Sequence, residues 1–260
     1  MIAIISDIHA NLEALEAVLR EIHGERIATI VCLGDIVGYN ADPAACIGLL
    51  RDAGAICVAG NHDRAVTGQT TTEGFNPLAT RAVEWTRARL TADDTGWLAA
   101  LPLKVTVQDR LIAVHGALHP DVGCELVRLD TDEKRQLSFE ALAAHPSGVG
   151  LCAFGHTHRL GIYEMRDGRM TTHEGQSAAL RDGSLHLVNP GTVGQPRTSD
   201  RRASYMVLDT DATTISVRRV RYNASPALAK TRKAGLAPRF SRLPEPVRKP
   251  LRRIYRAIVG

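Results

Sequence analysis

Five short clusters hold most of the side chains able to bind a metal ion or move a proton. They are Asp7-Ile8-His9, Gly34-Asp35, Gly60-Asn61-His62-Asp63, His115-Gly116 and Gly155-His156-Thr157-His158. Carboxylates and neutral imidazoles in this mixture suit divalent Mn, Fe, Zn, Co or Ni. The interspersed glycines let the backbone turn sharply and approach a ligand closely. A lone Asp-x-His arises often by chance, and a buried histidine is more often hydrogen-bonded structure than a ligand. Five such pieces, each where an apolar run gives way to a loop, argue together for one site assembled from distant parts of the chain.

The elements that must position them follow from apolar spacing. Ile2–Ile5, Ile27–Leu33 and Ala55–Ala59 read as buried strands. Between them, Leu12, Leu15, Val18, Leu19 and Ile22 recur at helical spacing behind an Asn11 N-cap, and Pro43–Arg51 gives a second helix. Such alternation predicts βαβ units with mainly parallel strands, whose carboxyl ends are the expected place for a ligand. Leu78–Leu90 and Asp94–Leu101 read as helices. The segments 105–107, 111–114, 150–154, 162–165, 170–173, 185–188, 205–209 and 214–220 read as strands, with a hairpin turn at Asp167-Gly168. Two sheets packed face to face with helices outside is the most economical α/β architecture for this list.

The 260 residues are 44% hydrophobic and 23% charged, enough for a sizeable core. No apolar run approaches the ~20 residues of a membrane-spanning helix. The five cysteines are scattered without CxxC spacing, which argues against a disulfide framework and for a reducing, cytoplasmic setting. The net charge of +4 hides an asymmetry: residues 224–260 carry ten Lys/Arg and one acid, Glu245, while the rest is net acidic. In that tail Val247, Leu251, Ile254, Tyr255 and Ile258 share one helical face, and Pro238, Pro244, Pro246 and Pro250 divide it, so a final helix is expected to start near Pro250. Docking of this amphipathic segment on the acidic body of its own or a neighbouring subunit, as in a homo-oligomer, is favoured over contact with nucleic acid or anionic lipid.

The order Asp-x-His, Gly-Asp, Gly-Asn-His-Asp, His-Gly, Gly-His-x-His resembles the signature of calcineurin-like metallophosphoesterases. The stretches Gly38-Tyr39-Asn40-Ala41-Asp42-Pro43 and Asn189–Arg197 resemble a bacterial and archaeal branch of predicted phosphoesterases. The resemblance covers about residues 1–220. It implies a four-layer αββα sandwich of two mixed sheets, with residues 1–223 forming the metallophosphoesterase domain and 224–260 a basic extension. It further implies two divalent metal ions: Asp7, His9 and His158 on one, Asn61, His115 and His156 on the other, and Asp35 bridging both. The implied reaction is in-line attack on a phosphomonoester, phosphodiester or nucleotide by hydroxide held between the metals, with His62 assisting the departing oxygen and Asp63 orienting it.

Arg64, Arg197 and Tyr39 are the candidate substrate contacts, each weighed against a plain loop role. His119, His173 and His186 match no ligand motif. Two alternatives remain at this point: a nuclease aided by the basic tail, and a scaffold that binds metal without catalysis.

Overall fold

The computed structural model describes residues 1–237 and 250–251. The expected helix beyond Pro250 therefore falls largely outside the described residues. Strands β1 (Ile2–Ile5), β2 (Thr29–Cys32) and β3 (Ile56–Cys57) run parallel, linked through helices α1 (Leu12–Gly24) and α2 (Pro43–Asp52). Next come α3 (Asn61–Thr67), α4 (Pro77–Arg87), α5 (Ala92–Ala99), β4 (Lys104–Val107), β5 (Leu111–Val114), α6 (Asp132–Ala143), β6 (Leu151–Ala153), β7 (Leu160–Arg166) and β8 (Arg169–Thr172). The described chain continues through β9 (Ser177–Ala179), β10 (Leu185–Pro190), β11 (Ala203–Asp209), β12 (Thr214–Val220) and α7 (Ala224–Lys233).

The strands form two six-stranded mixed sheets, ordered β3-β2-β1-β11-β12-β9 and β4-β5-β6-β10-β7-β8. β1 shows why its sequence reads as an unbroken apolar run. Ile2 and Ile4 join the core between the sheets with Val31, Leu33, Ala113, Val188 and Met206, whereas Ala3 and Ile5 join the core under α1 and α2 with Leu15, Val18 and Ile47. Both faces of the strand are buried, so alternation is lost. A third core lies outside the second sheet, where Phe139 and Leu142 of α6 meet Ile112, Cys152 and Leu187. Helix, sheet, sheet, helix is the layering that the strand list favoured.

Local chemistry explains the ends that matter. Asn11 caps α1 as expected, its side-chain oxygen accepting from the Ala14 amide at 3.2 Å. All five cysteines are free and buried. Three elements were not foreseen: α3, which the Gly-Asn-His-Asp motif itself opens, α6 and β9. At the far end, α7 lies against α1, with Lys230 Nζ 2.8 Å from Glu13 Oε1 and 2.5 Å from Asp42 Oδ2.

Candidate metal centre

The parallel strands deliver the first three clusters to one edge. Asp7 and His9 follow β1, Asp35 follows β2, and Asn61-His62-Asp63 open α3 just after β3. His115 follows β5, and His156 and His158 lie between β6 and β7 in the facing sheet, so the site spans the seam between the sheets.

Three pairs of contacts define its geometry. Asp7 Oδ1 lies 3.1 Å from His158 Nε2 and 3.8 Å from His9 Nε2. Asp35 Oδ2 lies 3.5 Å from His9 Nε2 and 3.4 Å from His115 Nε2. Asn61 Oδ1 is 3.0 Å from His115 Nε2, and His156 joins Asp35 and His115 in a group whose ligand atoms all fall within 4.8 Å of one another. All seven residues expected as ligands thus converge. His62 also comes within 4.8 Å of His9 and Asp35.

The backbone fixes which imidazole nitrogen faces inward. His9, His115 and His158 each place Nδ1 on a backbone carbonyl, of Val37 at 3.1 Å, Leu33 at 2.7 Å and Gln195 at 2.9 Å. With the proton on Nδ1, each Nε2 lone pair points into the centre, the arrangement that metal-binding histidines use. Asp7 Oδ1 is buried with no hydrogen bond, although Asp7 Oδ2 accepts from Ser6 Oγ and the His156 amide. A buried carboxylate oxygen among inward lone pairs is costly without a cation. The donor set therefore fits divalent metal ions.

Holding the donors this way strains the loops. Asp7, His9, Asp35, His156 and His158 all have positive φ, between 49° and 63°. Left-handed backbone is uncommon for residues with a Cβ and persists where surrounding bonds enforce it. Here the His9 and Asp7 amides donate to the carbonyls of Asp35 and Gly34, while Thr192 Oγ1 and the Gly194 amide both donate to the Asp7 carbonyl. Gly60 is required for a different reason: a Cβ there would strike the Asp35 amide and carboxylate.

Burial sets the protonation states. It pushes His156 down to about 3 and His62 down to about 4, and it lowers His9 well below an ordinary histidine. Burial opposes the charged form of His115 too, but the adjacent Asp35 carboxylate outweighs it and raises that group to about 9. Asp7 and Asp35 resist the effect of burial and stay below the usual carboxylate range, held by His158 and His115 respectively. Deprotonated carboxylates beside mostly neutral imidazoles are the forms that bind cations.

The other expected site residues are placed less uniformly. Asp63 gives Oδ1 to the amides of Ile36 and Val37 and Oδ2 to that of Gly60, so both oxygens clamp backbone, and neither takes the orienting bond expected toward His62. Tyr39 packs its ring against His9 and His62, each at 4.8 Å between centroids. Arg197 lies close enough to Tyr39 and His62 for its charge to act on both. Arg64 is drawn to Glu125, with Nε 2.9 Å from Oε1. His173 and His186 lie beside Glu164 in the second sheet, at 3.0 and 3.9 Å.

Sequence reading missed several contributors. Ser6 and Thr192 bond to Asp7, Asn189 Nδ2 holds the Gly155 carbonyl at 2.8 Å, and Phe75 packs on the His62 ring at 4.8 Å. The stretch from Asn189 to Arg197 stands out in the sequence as a motif, but nothing in its residue types shows that Gln195 would serve His158 through its carbonyl.

Known proteins resemble this chain over most of its length. A calcineurin-like phosphoesterase superfamily domain model matches residues 1–213. An uncharacterized protein of Methanocaldococcus jannaschii is 35% identical over 249 residues, covering 94% of each chain. The crystal structure of a metallophosphoesterase from Sphaerobacter thermophilus superposes with a TM-score of 0.74 at 34% identity, covering 95% of this chain and 96% of that one. A hypothetical protein from Pyrococcus horikoshii shares the fold, with a TM-score of 0.71 at 17% identity over 96% and 97% of the two chains. Among the described residues no helix is long and apolar enough to cross a membrane. The chain belongs to the calcineurin-like phosphoesterase superfamily and is a metal-dependent phosphoesterase.

Proposed function

We propose that the chain hydrolyses phosphate mono- or diesters at a two-metal centre, with Asp7, His9 and His158 holding one ion, Asn61, His115 and His156 the other, and Asp35 shared. One observation carries this reading: a single oxygen, Asp35 Oδ2, sits 3.5 Å from His9 Nε2 and 3.4 Å from His115 Nε2, between the two ligand sets. Two divalent cations bound there, from among Mn, Fe, Zn, Co and Ni, would activate water near neutral pH and neutralise phosphoryl oxygens.

The chain's own groups supply the rest. The backbone bonds to Nδ1 of His9, His115 and His158 hold three imidazoles with their lone pairs inward. His62 is neutral at pH 7 yet keeps one N–H, which it donates to the departing oxygen. Asp63 acts on His62 indirectly, by fixing the turn that starts α3 against the loop after β2. Tyr39 walls the pocket beside His62, and Arg197 attracts the anionic substrate.

Residues 1–223 serve as the catalytic domain and 224–260 as a basic extension, of which α7 lies against α1. In that extension Lys230 is already paired with Glu13 and Asp42, which favours docking over a nucleic-acid contact. The test is hydrolysis of p-nitrophenyl phosphate and bis-p-nitrophenyl phosphate by metal-stripped protein with Mn, Fe, Co, Ni, Zn or Mg restored singly. Turnover that returns with metal and is lost in Asp35→Asn supports the proposal, and the ratio of the two substrates separates monoesterase from diesterase. Absence of turnover with every metal on both esters counts against it.

A further inference from the structure

The loop after β2 serves His9 from several sides. The Val37 carbonyl meets its Nδ1 at 3.1 Å, and the Tyr39 ring stands edge-on to the imidazole. Asn40 donates to the His9 carbonyl twice, from Nδ2 at 2.8 Å and from its own amide at 3.2 Å. The shape that allows this is strained. Tyr39 takes a positive φ of 60°, which a residue with a Cβ keeps only where its surroundings enforce it.

The C-terminal extension supplies such surroundings. Thr231 Oγ1, in α7, donates to Asn40 Oδ1 at 3.0 Å, its single proton shared with the Ala227 carbonyl at 2.7 Å. Because Oδ1 is the acceptor of that amide, the bond turns Nδ2 toward His9. Lys230 Nζ lies 2.8 Å from Glu13 Oε1 and 2.5 Å from Asp42 Oδ2, so one ammonium ties α1 to the end of the loop. Asp42 stands at the N-cap of α2, yet its side chain makes no capping bond, and its carboxylate goes to Lys230 instead. Its amide donates to the Ala10 carbonyl at 3.2 Å, directly beside His9. Ala227, Thr231 and Leu236 are buried, which fixes α7 in place.

We propose that Lys230 and Thr231 are positioning residues of the metal centre: through the 36–42 loop, α7 holds His9 in register with Asp7 and His158. This rests on the two-metal reading above. The basic extension is then a working part of the site, and a contact that draws α7 away loosens metal binding.

Equilibrium dialysis of the metal-stripped full chain against Mn(II) tests this, with Lys230→Met and Thr231→Val each measured below its own Tm. Each variant should weaken one Mn(II) binding step by about tenfold, the lower end of what outer bonds to metal-binding histidines contribute. Thr231→Ser keeps the hydroxyl and should bind as wild type does. Wild-type affinity in both Lys230→Met and Thr231→Val overturns the proposal even where Tm falls, because a merely structural helix would change stability alone. A loss in Thr231→Ser equal to that in Thr231→Val also overturns it. A wild type that binds Mn(II) but hydrolyses neither p-nitrophenyl ester defeats the phosphoesterase reading and leaves this result standing. A wild type that binds no Mn(II) defeats both.

Discussion

His9 Nε2 and His158 Nε2 face each other at 3.1 Å, with the opposite nitrogen of each ring committed to a backbone carbonyl. Two lone pairs at that separation repel, and the nearby Asp7 Oδ1 makes no hydrogen bond. A cation relieves both defects at once. Metal binding to the native state alone adds stability as RT ln(1 + [L]/Kd), about 2.7 kcal/mol at a hundredfold excess over Kd. Chelation should therefore lower Tm by several degrees, and readdition of divalent metal should restore it. A Tm indifferent to chelator, measured by scanning calorimetry, would contradict this.

His62→Asn tests the leaving-group role. The ring packs against Tyr39 and Phe75, and Gly38 makes room for it. Removing a positioned proton donor costs about 10²–10⁴ in rate. Turnover should fall by that order while metal content stays at the wild-type level. Unchanged turnover would remove His62 from the mechanism.

Asp63 should matter for architecture. Its carboxylate accepts from the amides of Gly60, Ile36 and Val37. Asp63→Ala leaves those donors buried without partners, at about 1–3 kcal/mol for each one left unsatisfied. Urea denaturation should show a loss of a few kcal/mol, with weaker metal binding as Asp35 loosens. A variant as stable as wild type would show that the clamp is dispensable.

Acid should destabilise the metal-free protein before its carboxylates titrate. Burial holds His156 near 3 and His62 near 4 in the folded state, against 6.5 when unfolded. Between those values the unfolded chain binds more protons, so stability falls as pH drops below 6.5. His115, raised to about 9, acts in the other direction, its contribution complete below 6.5 and lost toward 9. His9 is depressed with them and His115 contributes no change below 6.5, so the three depressed histidines outweigh Asp63, which burial raises to about 7 and which acts the other way, and give a net loss on acidification. The Tm of chelated protein should fall from pH 6.5 to 4.5, and a flat or rising Tm would refute the protonation states assigned here.

Much of this was legible in the sequence because the strands are short apolar runs and the proposed ligands come in motifs with distinct residue types. What was not legible has physical causes. α6 opens on Asp132-Glu133-Lys134-Arg135 and buries only Ser138, Phe139 and Leu142, so its apolar stripe is too narrow for periodicity to detect. Thr131, which accepts from the Lys134 amide, was the one available signal. β9 buries Ala178 alone of its three residues. The left-handed backbone at five of the seven proposed ligands is imposed by tertiary hydrogen bonds, which residue types do not encode.

The claim on which the rest depends is that Asp35 joins two metal ions in one centre. Equilibrium dialysis of metal-stripped protein against Mn(II), with bound metal counted per chain, tests it most directly. A shared carboxylate predicts two ions per wild-type chain and the loss of at least one in Asp35→Asn. One ion or none in the wild type, or two retained in the variant, would contradict it.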